Sequence, residues 1–179
     1  WLAGMGVTAF VLKYRLPSDE IMEDKKKGPL QDAQKALRYV RDNRERWGID
    51  ENKIGIMGFS AGGHLAATLS TKYEDSIYAF DPSVSARPDF SILIYPVISM
   101  TDEITHKGSQ TSLLGERAEK ELLENFSAEL LVNSATPKTF LVHSADDNAV
   151  PVENSVRYFS KLKENNVPVE LHVYEDGGH

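Results

Sequence analysis

The sequence predicts an α/β protein built on a mostly parallel open sheet with helices on both faces. Three observations carry that reading. Short, nearly continuous apolar runs alternate with amphipathic helical patterns, which is how parallel βαβ units read. The runs contain few polar residues, as expected of strands buried on both faces. Most connections are short, and the one long exception, residues 98–136, follows a strand end, where binding loops collect on such sheets.

The elements follow in order. Residues 7–14 (VTAFVLKY) read as a strand buried on both faces. Pro29 opens a helical pattern at its favoured first position, with Ala33, Ala36, Leu37 and Val40 at helical spacing, and Gly48 after Trp47 ends it. Residues 53–58 (KIGIMG) form a short strand and 61–72 a second helix. Residues 90–97 (FSILIYPV) are another buried strand, stopped by Pro96, and 138–143 (KTFLVH) the next. Residues 152–165 form a helix with Val156, Phe159 and Leu162 inward, and 168–174 the last strand. The 98–136 stretch is polar and partly helical around 116–132, and reads as a small lid or pocket wall inserted in a single domain spanning 1–179.

Composition narrows the chemistry. The chain has 179 residues, 41% of them hydrophobic, enough for one core at about 150 residues per domain. Cysteine is absent, which removes disulfides, thiolate metal sites and cysteine nucleophiles. A net charge of −7 argues against nucleic acid as a partner, since phosphate binding needs a basic footprint. The one basic run, Lys25-Lys26-Lys27, reads as a solvated loop. No apolar run reaches the roughly 18 residues of a membrane span. The chain starts at Trp1 rather than methionine and ends at His179, directly after Gly177-Gly178, so a partial domain is expected and localisation is left open.

Gly58-Phe59-Ser60-Ala61-Gly62 is a G-x-S-x-G motif between a predicted strand and a predicted helix. The chain must turn sharply there, leaving the serine strained with its Oγ exposed. Glycines at 58 and 62 are expected to remove side chains that would collide. The helix start and the Ala61 N–H then face the place where a tetrahedral oxyanion would form. A phosphate loop would need lysine after the glycines, and Gly62-Gly63-His64 has none.

A serine hydroxyl needs a general base, oriented in turn by a carboxylate. On such sheets the chain order is Ser, Asp or Glu, then His. Asp146 and Asp147 both follow the strand at 138–143, and pattern alone leaves the choice between them open. His64 lies on the helix beyond the serine and is expected to pack, and His106 lies in the insertion, solvated or lining a pocket. His143 ends a strand in a structural, hydrogen-bonded role, and His172 sits mid-strand on a sheet face. His179 alone follows the last strand, on a Gly-Gly turn that brings it to the serine, and is the predicted base. No tight ligand spacing points to a metal, and no cofactor is required.

With these residues in place the chain resembles the α/β-hydrolase superfamily. More narrowly it resembles bacterial acetyl-xylan and feruloyl esterases related to hormone-sensitive lipase, some of which carry an endo-xylanase label. The matching segments are Lys13-Tyr14-Arg15-Leu16, Trp47-Gly48-Ile49-Asp50, the elbow from Gly58 to Ala66, the Thr105-His106-Lys107-Gly108 and Leu113-Leu114-Gly115 pieces, and the stretch from His143 to Pro151. The resemblance selects Asp147 as the acid: it stands four residues after the histidine that ends the strand and three before Val150-Pro151. It implies a cofactor-free carboxylic ester hydrolase acting on a small-molecule or oligosaccharide ester, such as acetylated sugar or xylan. It also implies that the first strands of the sheet, a His-Gly-Gly oxyanion loop and a helix after His179 are missing from this chain, so the isolated chain is expected to be weak or inactive. The rivals are a serine peptidase of the prolyl-oligopeptidase type and a non-catalytic binding protein on the same fold.

Overall fold

The computed structural model describes residues 1–101 and 104–179; Asp102 and Glu103, within the insertion, lie outside the described residues. Four strands form one sheet in the order β1-β2-β3-β4. They are β1 (Ile56–Phe59), β2 (Phe90–Ile94), β3 (Lys138–Ser144) and β4 (Val169–Tyr174). Every neighbouring pair is parallel. The helices are α1 (Gly28–Asp42), α2 (Arg44–Trp47), α3 (Ser60–Lys72), α4 (Lys107–Leu114), α5 (Lys120–Asn125) and α6 (Glu153–Glu164), with single 3₁₀ turns at Ala3–Met5 and Ala128–Leu130.

Register follows from which residues can be buried. Gly58, Leu93, Leu141 and Leu171 are aligned across the four strands and share one face. On that face Leu93 and Leu141 pack with Ala66 and Ala67 of α3, Ala128 of the second 3₁₀ turn, and Tyr158 and Leu162 of α6. Burying one leucine is worth about 1.5–3 kcal/mol, and a one-residue slip would turn the whole set outward. Helix α3 is the central helix. Its small residues meet the sheet, while Leu65 and Leu69 meet Leu30, Ala33 and Leu37 of α1. The opposite sheet face carries Met57, Phe59, Ile92, Ile94, Phe140 and Val142, none of which belongs to a buried cluster. Met57 and Phe59 there are 37% and 49% exposed. Helix cover is thus present on one face among the described residues.

The α/β sheet and the element order agree with the sequence reading, with four corrections. Helices are expected on both faces of the sheet, and among the described residues they cover one. Residues 7–14 form no strand, and Val11 is 98% exposed. Their composition suits a pleated surface, but a strand needs a ladder, and β1 pairs only with β2 among the described residues. Helix α4 lies in the insertion ahead of the 116–132 stretch expected to be helical. Its start is set by His106, whose Nδ1 accepts from the Ser109 N–H at 3.2 Å, a cap that Ser, Thr, Asp and Asn usually supply. In α6 Leu162 is buried and Phe159 packs against the core as expected, but Val156 is 43% exposed, and Asn154, Ser155 and Tyr158 complete the inward stripe.

Asn154 turns inward because backbone groups, three of them in the insertion, partner its amide. Asn154 Oδ1 accepts from the Ile98 and Ser99 N–H groups at 2.9 and 3.0 Å. Its Nδ2 donates to the Ile104 and Pro151 carbonyls at 2.8 and 3.0 Å. Asn154→Ala strands these buried groups and is expected to cost about 2–4 kcal/mol of stability. Urea unfolding checks this, and an unchanged midpoint would show that the network adds nothing to stability. The basic run is tied down locally: Lys25 pairs with Asp19 at 2.7 Å, and Lys26 and Lys27 with Asp24 at 3.0 and 3.5 Å. No helix among the described residues is long and apolar enough to cross a membrane.

Candidate active site

Three loops at the C-terminal ends of parallel strands converge, the place where open α/β sheets gather ligands. The first is the turn from β1 into α3. Ser60 has φ 50°, a left-handed backbone that a non-glycine residue rarely adopts. The turn closes because Gly58 has no side chain: a Cβ there would stand 2.2 Å from the Gly62 carbonyl oxygen. Gly63 is equally constrained, its Cβ falling 2.7 Å from Pro96 Cβ. Gly62, which the motif suggested as the second steric glycine, has room, with its nearest contact at 3.9 Å. Helix α3 has no side-chain cap at its N-terminus. The first-turn N–H groups, Ala61 included, therefore have no partner within the helix.

The second loop follows β3. Asp147 Oδ1 accepts from the Ala149 and Val150 N–H groups, both at 2.9 Å. The third follows β4, where Gly177 and Gly178 take φ of 149° and 62° and deliver His179. His179 Nδ1–H donates to Asp147 Oδ2 at 2.7 Å, and Ser60 Oγ–H donates to His179 Nε2 at 2.8 Å. The structure therefore brings together Ser60, His179 and Asp147, with Ala61 beside them. Asp146 is elsewhere: its Oδ1 accepts from the Gly178 N–H at 2.8 Å and holds the histidine turn.

The electrostatics suit a standing carboxylate. Burial pushes the Asp147 carboxyl up, but the Val150 N–H, His179 and the Ala149 N–H outweigh it and hold it below the usual aspartate range. His143 is fully buried behind it. Its Nε2 faces the Val150 carbonyl at 2.9 Å and Asp147 Oδ2 at 3.3 Å, so it carries the proton there. Its Nδ1 accepts from the Ser155 hydroxyl at 2.8 Å. Burial pushes the His143 imidazole down, the Val150 carbonyl and Asp147 only partly opposing it, so it stands neutral against the acid. Its contact with Asp147 is not visible in the spacing. His64 is buried and donates from Nε2 to the Phe126 carbonyl at 2.9 Å, tying α3 to the insertion. His172 is paired with Glu170 on the sheet face, away from the cluster. Among the described residues no group of three or more His, Asp or Glu is arranged to hold a metal ion.

A cavity of about 450 Å³ opens beside Ala61. Its lining includes Tyr14, Leu30 and Leu65 together with Met100, His106 and Phe126 of the insertion.

A parallel sheet that sets a serine on a strained strand-to-helix turn, with histidine and aspartate on the loops after later strands, has the α/β-hydrolase fold. Within it, the chain belongs to the BD-FAE family, whose model matches residues 4–162. It is 37% identical over 183 residues to an acetylxylan esterase of Xylanibacter ruminicola, covering 100% of this chain and 35% of that protein. It is 39% identical over 178 residues to endo-1,4-beta-xylanase B of Butyrivibrio fibrisolvens, covering 97% and 27%. Among solved structures, an acetyl ester-xyloside bifunctional hydrolase from Caldicellulosiruptor lactoaceticus matches with a TM-score of 0.89 and 45% identity, covering 100% of this chain and 65% of that one. The chain thus spans about a third of the length of these curated relatives. The resemblance drawn from the motifs agrees with them.

Proposed function

We propose that the chain carries the catalytic groups of a carboxylic ester hydrolase that deacetylates acetylated sugars or xylan. The observation that carries this reading is the unbroken line from Asp147 Oδ2 through His179 to Ser60 Oγ, with links of 2.7 and 2.8 Å. In the proposed reaction Ser60 Oγ bonds to the ester carbonyl carbon and its proton passes to His179 Nε2. The carbonyl oxygen gains negative charge beside the Ala61 N–H. His179 then protonates the departing alcohol, and water activated by the same imidazole releases the acid and frees Ser60. Asp147 holds the productive tautomer throughout. The insertion 98–136, through Met100, His106 and Phe126, serves as a wall of the substrate pocket.

The substrate rests on the acetylxylan esterase and the acetyl ester-xyloside hydrolase among the relatives. The xylanase name of another relative raises glycoside hydrolysis, which generally needs two carboxyl groups flanking the bond. Here one aspartate is bound to a histidine and its neighbour to a backbone N–H, so the site favours ester chemistry. The test is acetate release from acetylated xylan, and p-nitrophenyl acetate hydrolysis, by the full-length gene product. Ser60→Ala is expected to lower both by more than about 10³-fold. An inactive wild type, or equal rates for the variant, would reject the reading.

A further inference from the structure

The turn after β2 contributes a residue the motif does not contain. Tyr95 has φ 35°, a left-handed conformation. For a bulky aromatic side chain that is an outlier, and outliers of this kind collect at functional sites. The following residue is Pro96, which restricts Tyr95 further. Neighbouring contacts hold the turn in this shape. The Tyr95 N–H donates to the Val142 carbonyl at 2.7 Å, and the Val97 N–H to the Ser60 carbonyl at 3.1 Å. Pro96 occupies the space left by Gly63. The result is an aromatic ring whose centroid lies 4.6 Å from that of His179, at 48° between planes.

We propose that Tyr95 is a positioning residue for His179, whose ring orients the imidazole and favours its protonated form as Ser60 attacks. The proposal rests on the ester-hydrolase reading above. When the Ser60 Oγ–carbon bond forms, the hydroxyl proton moves to His179 Nε2, the carbonyl electron pair moves to oxygen, and the imidazole becomes a cation. A cation within about 6 Å of an aromatic centroid is attracted to it. The neutral imidazole of the resting enzyme gains less, so the contact acts on the transition state more than on the ground state. The other groups around His179 are Asp147 at 2.7 Å, His143 across that carboxylate, and Asp146 bonded to Gly178. Glu175 and Asp176 belong to its own loop. All remain when Tyr95 is replaced, so the comparison isolates the ring.

The experiment measures kcat, KM and the pH profile of p-nitrophenyl acetate hydrolysis for the full-length gene product and its Tyr95→Phe and Tyr95→Asn variants. Asparagine lacks the ring but tolerates the left-handed backbone, so the turn can be kept. Tyr95→Asn is expected to lose about 3- to 10-fold in kcat, with KM within about two-fold. The acidic limb of its kcat/KM profile should move to lower pH by about half a unit, because the charged imidazole has lost a partner. Tyr95→Phe should restore both. A wild-type profile for Tyr95→Asn, or a kcat loss with an unmoved acidic limb, would overturn the proposal while leaving the ester-hydrolase reading intact. A wild type with no esterase activity would overturn both.

Discussion

Asp147→Asn is expected to lower kcat/KM for an ester by about 10³- to 10⁴-fold. The reason lies in which oxygen does what. Oδ1 is held by the Ala149 and Val150 N–H groups, and an asparagine would keep its carbonyl oxygen there. Its amide nitrogen would then stand where Oδ2 accepts from His179 Nδ1. An NH₂ group can only donate, so it would turn the imidazole into the tautomer that carries its proton on Nε2. That nitrogen then cannot take the proton of Ser60. A variant within ten-fold of wild type would show that Asp147 does not set the tautomer. The expected pH dependence follows from the same carboxylate. Asp147 is held below the ordinary aspartate range, so it stays ionised throughout pH 5 to 8. Asp147 is therefore expected to add no acid-side ionisation to the kcat/KM profile in that window, and one assigned to this carboxylate would contradict the reading.

Gly58→Ala should be the most damaging of the elbow substitutions. Its Cβ would meet backbone on two sides, 2.2 Å from the Gly62 oxygen and 2.9 Å from Gly63 Cα, and neither can swing away as a side chain can. A cost of about 3 kcal/mol or more is expected, with loss of soluble protein or of the Ser60–His179 contact. Gly63→Ala, against the Cα and Cβ of Pro96, should behave similarly. Gly62→Ala has open space and lies in the first turn of α3, so it should fold with near-wild-type stability. Chemical denaturation of the three variants tests the ranking. Equal stability for Gly58→Ala and Gly62→Ala would mean the turn is looser than its geometry.

The contrast between those glycines shows where the sequence was legible. Strand, turn and helix around Ser60 could be read from local pattern because the strain is local. His179 could be read because only one histidine follows the last strand. The choice between Asp146 and Asp147 could not be made from the residues alone: both sit on the same loop, and the selection is made by two backbone N–H groups that turn one carboxylate toward His179. Tyr95 was invisible for a related reason. A tyrosine ending an apolar run reads as strand, and its approach to His179 depends on a left-handed φ imposed by three long-range contacts. Residues 7–14 fail in the other direction, since their composition favours pairing while the partner is a matter of tertiary arrangement. Asn154 reverses the usual rule of polar-outward helices because four backbone groups, three of them in the insertion, partner its amide.

A serine activated by histidine reacts with a fluorophosphonate, and peptide mass spectrometry of the treated full-length gene product locates the adduct. A single adduct on Ser60 is expected, absent in Ser60→Ala and formed far more slowly in His179→Ala. An unlabelled wild type, an adduct on another residue, or undiminished labelling of Ser60→Ala would contradict it.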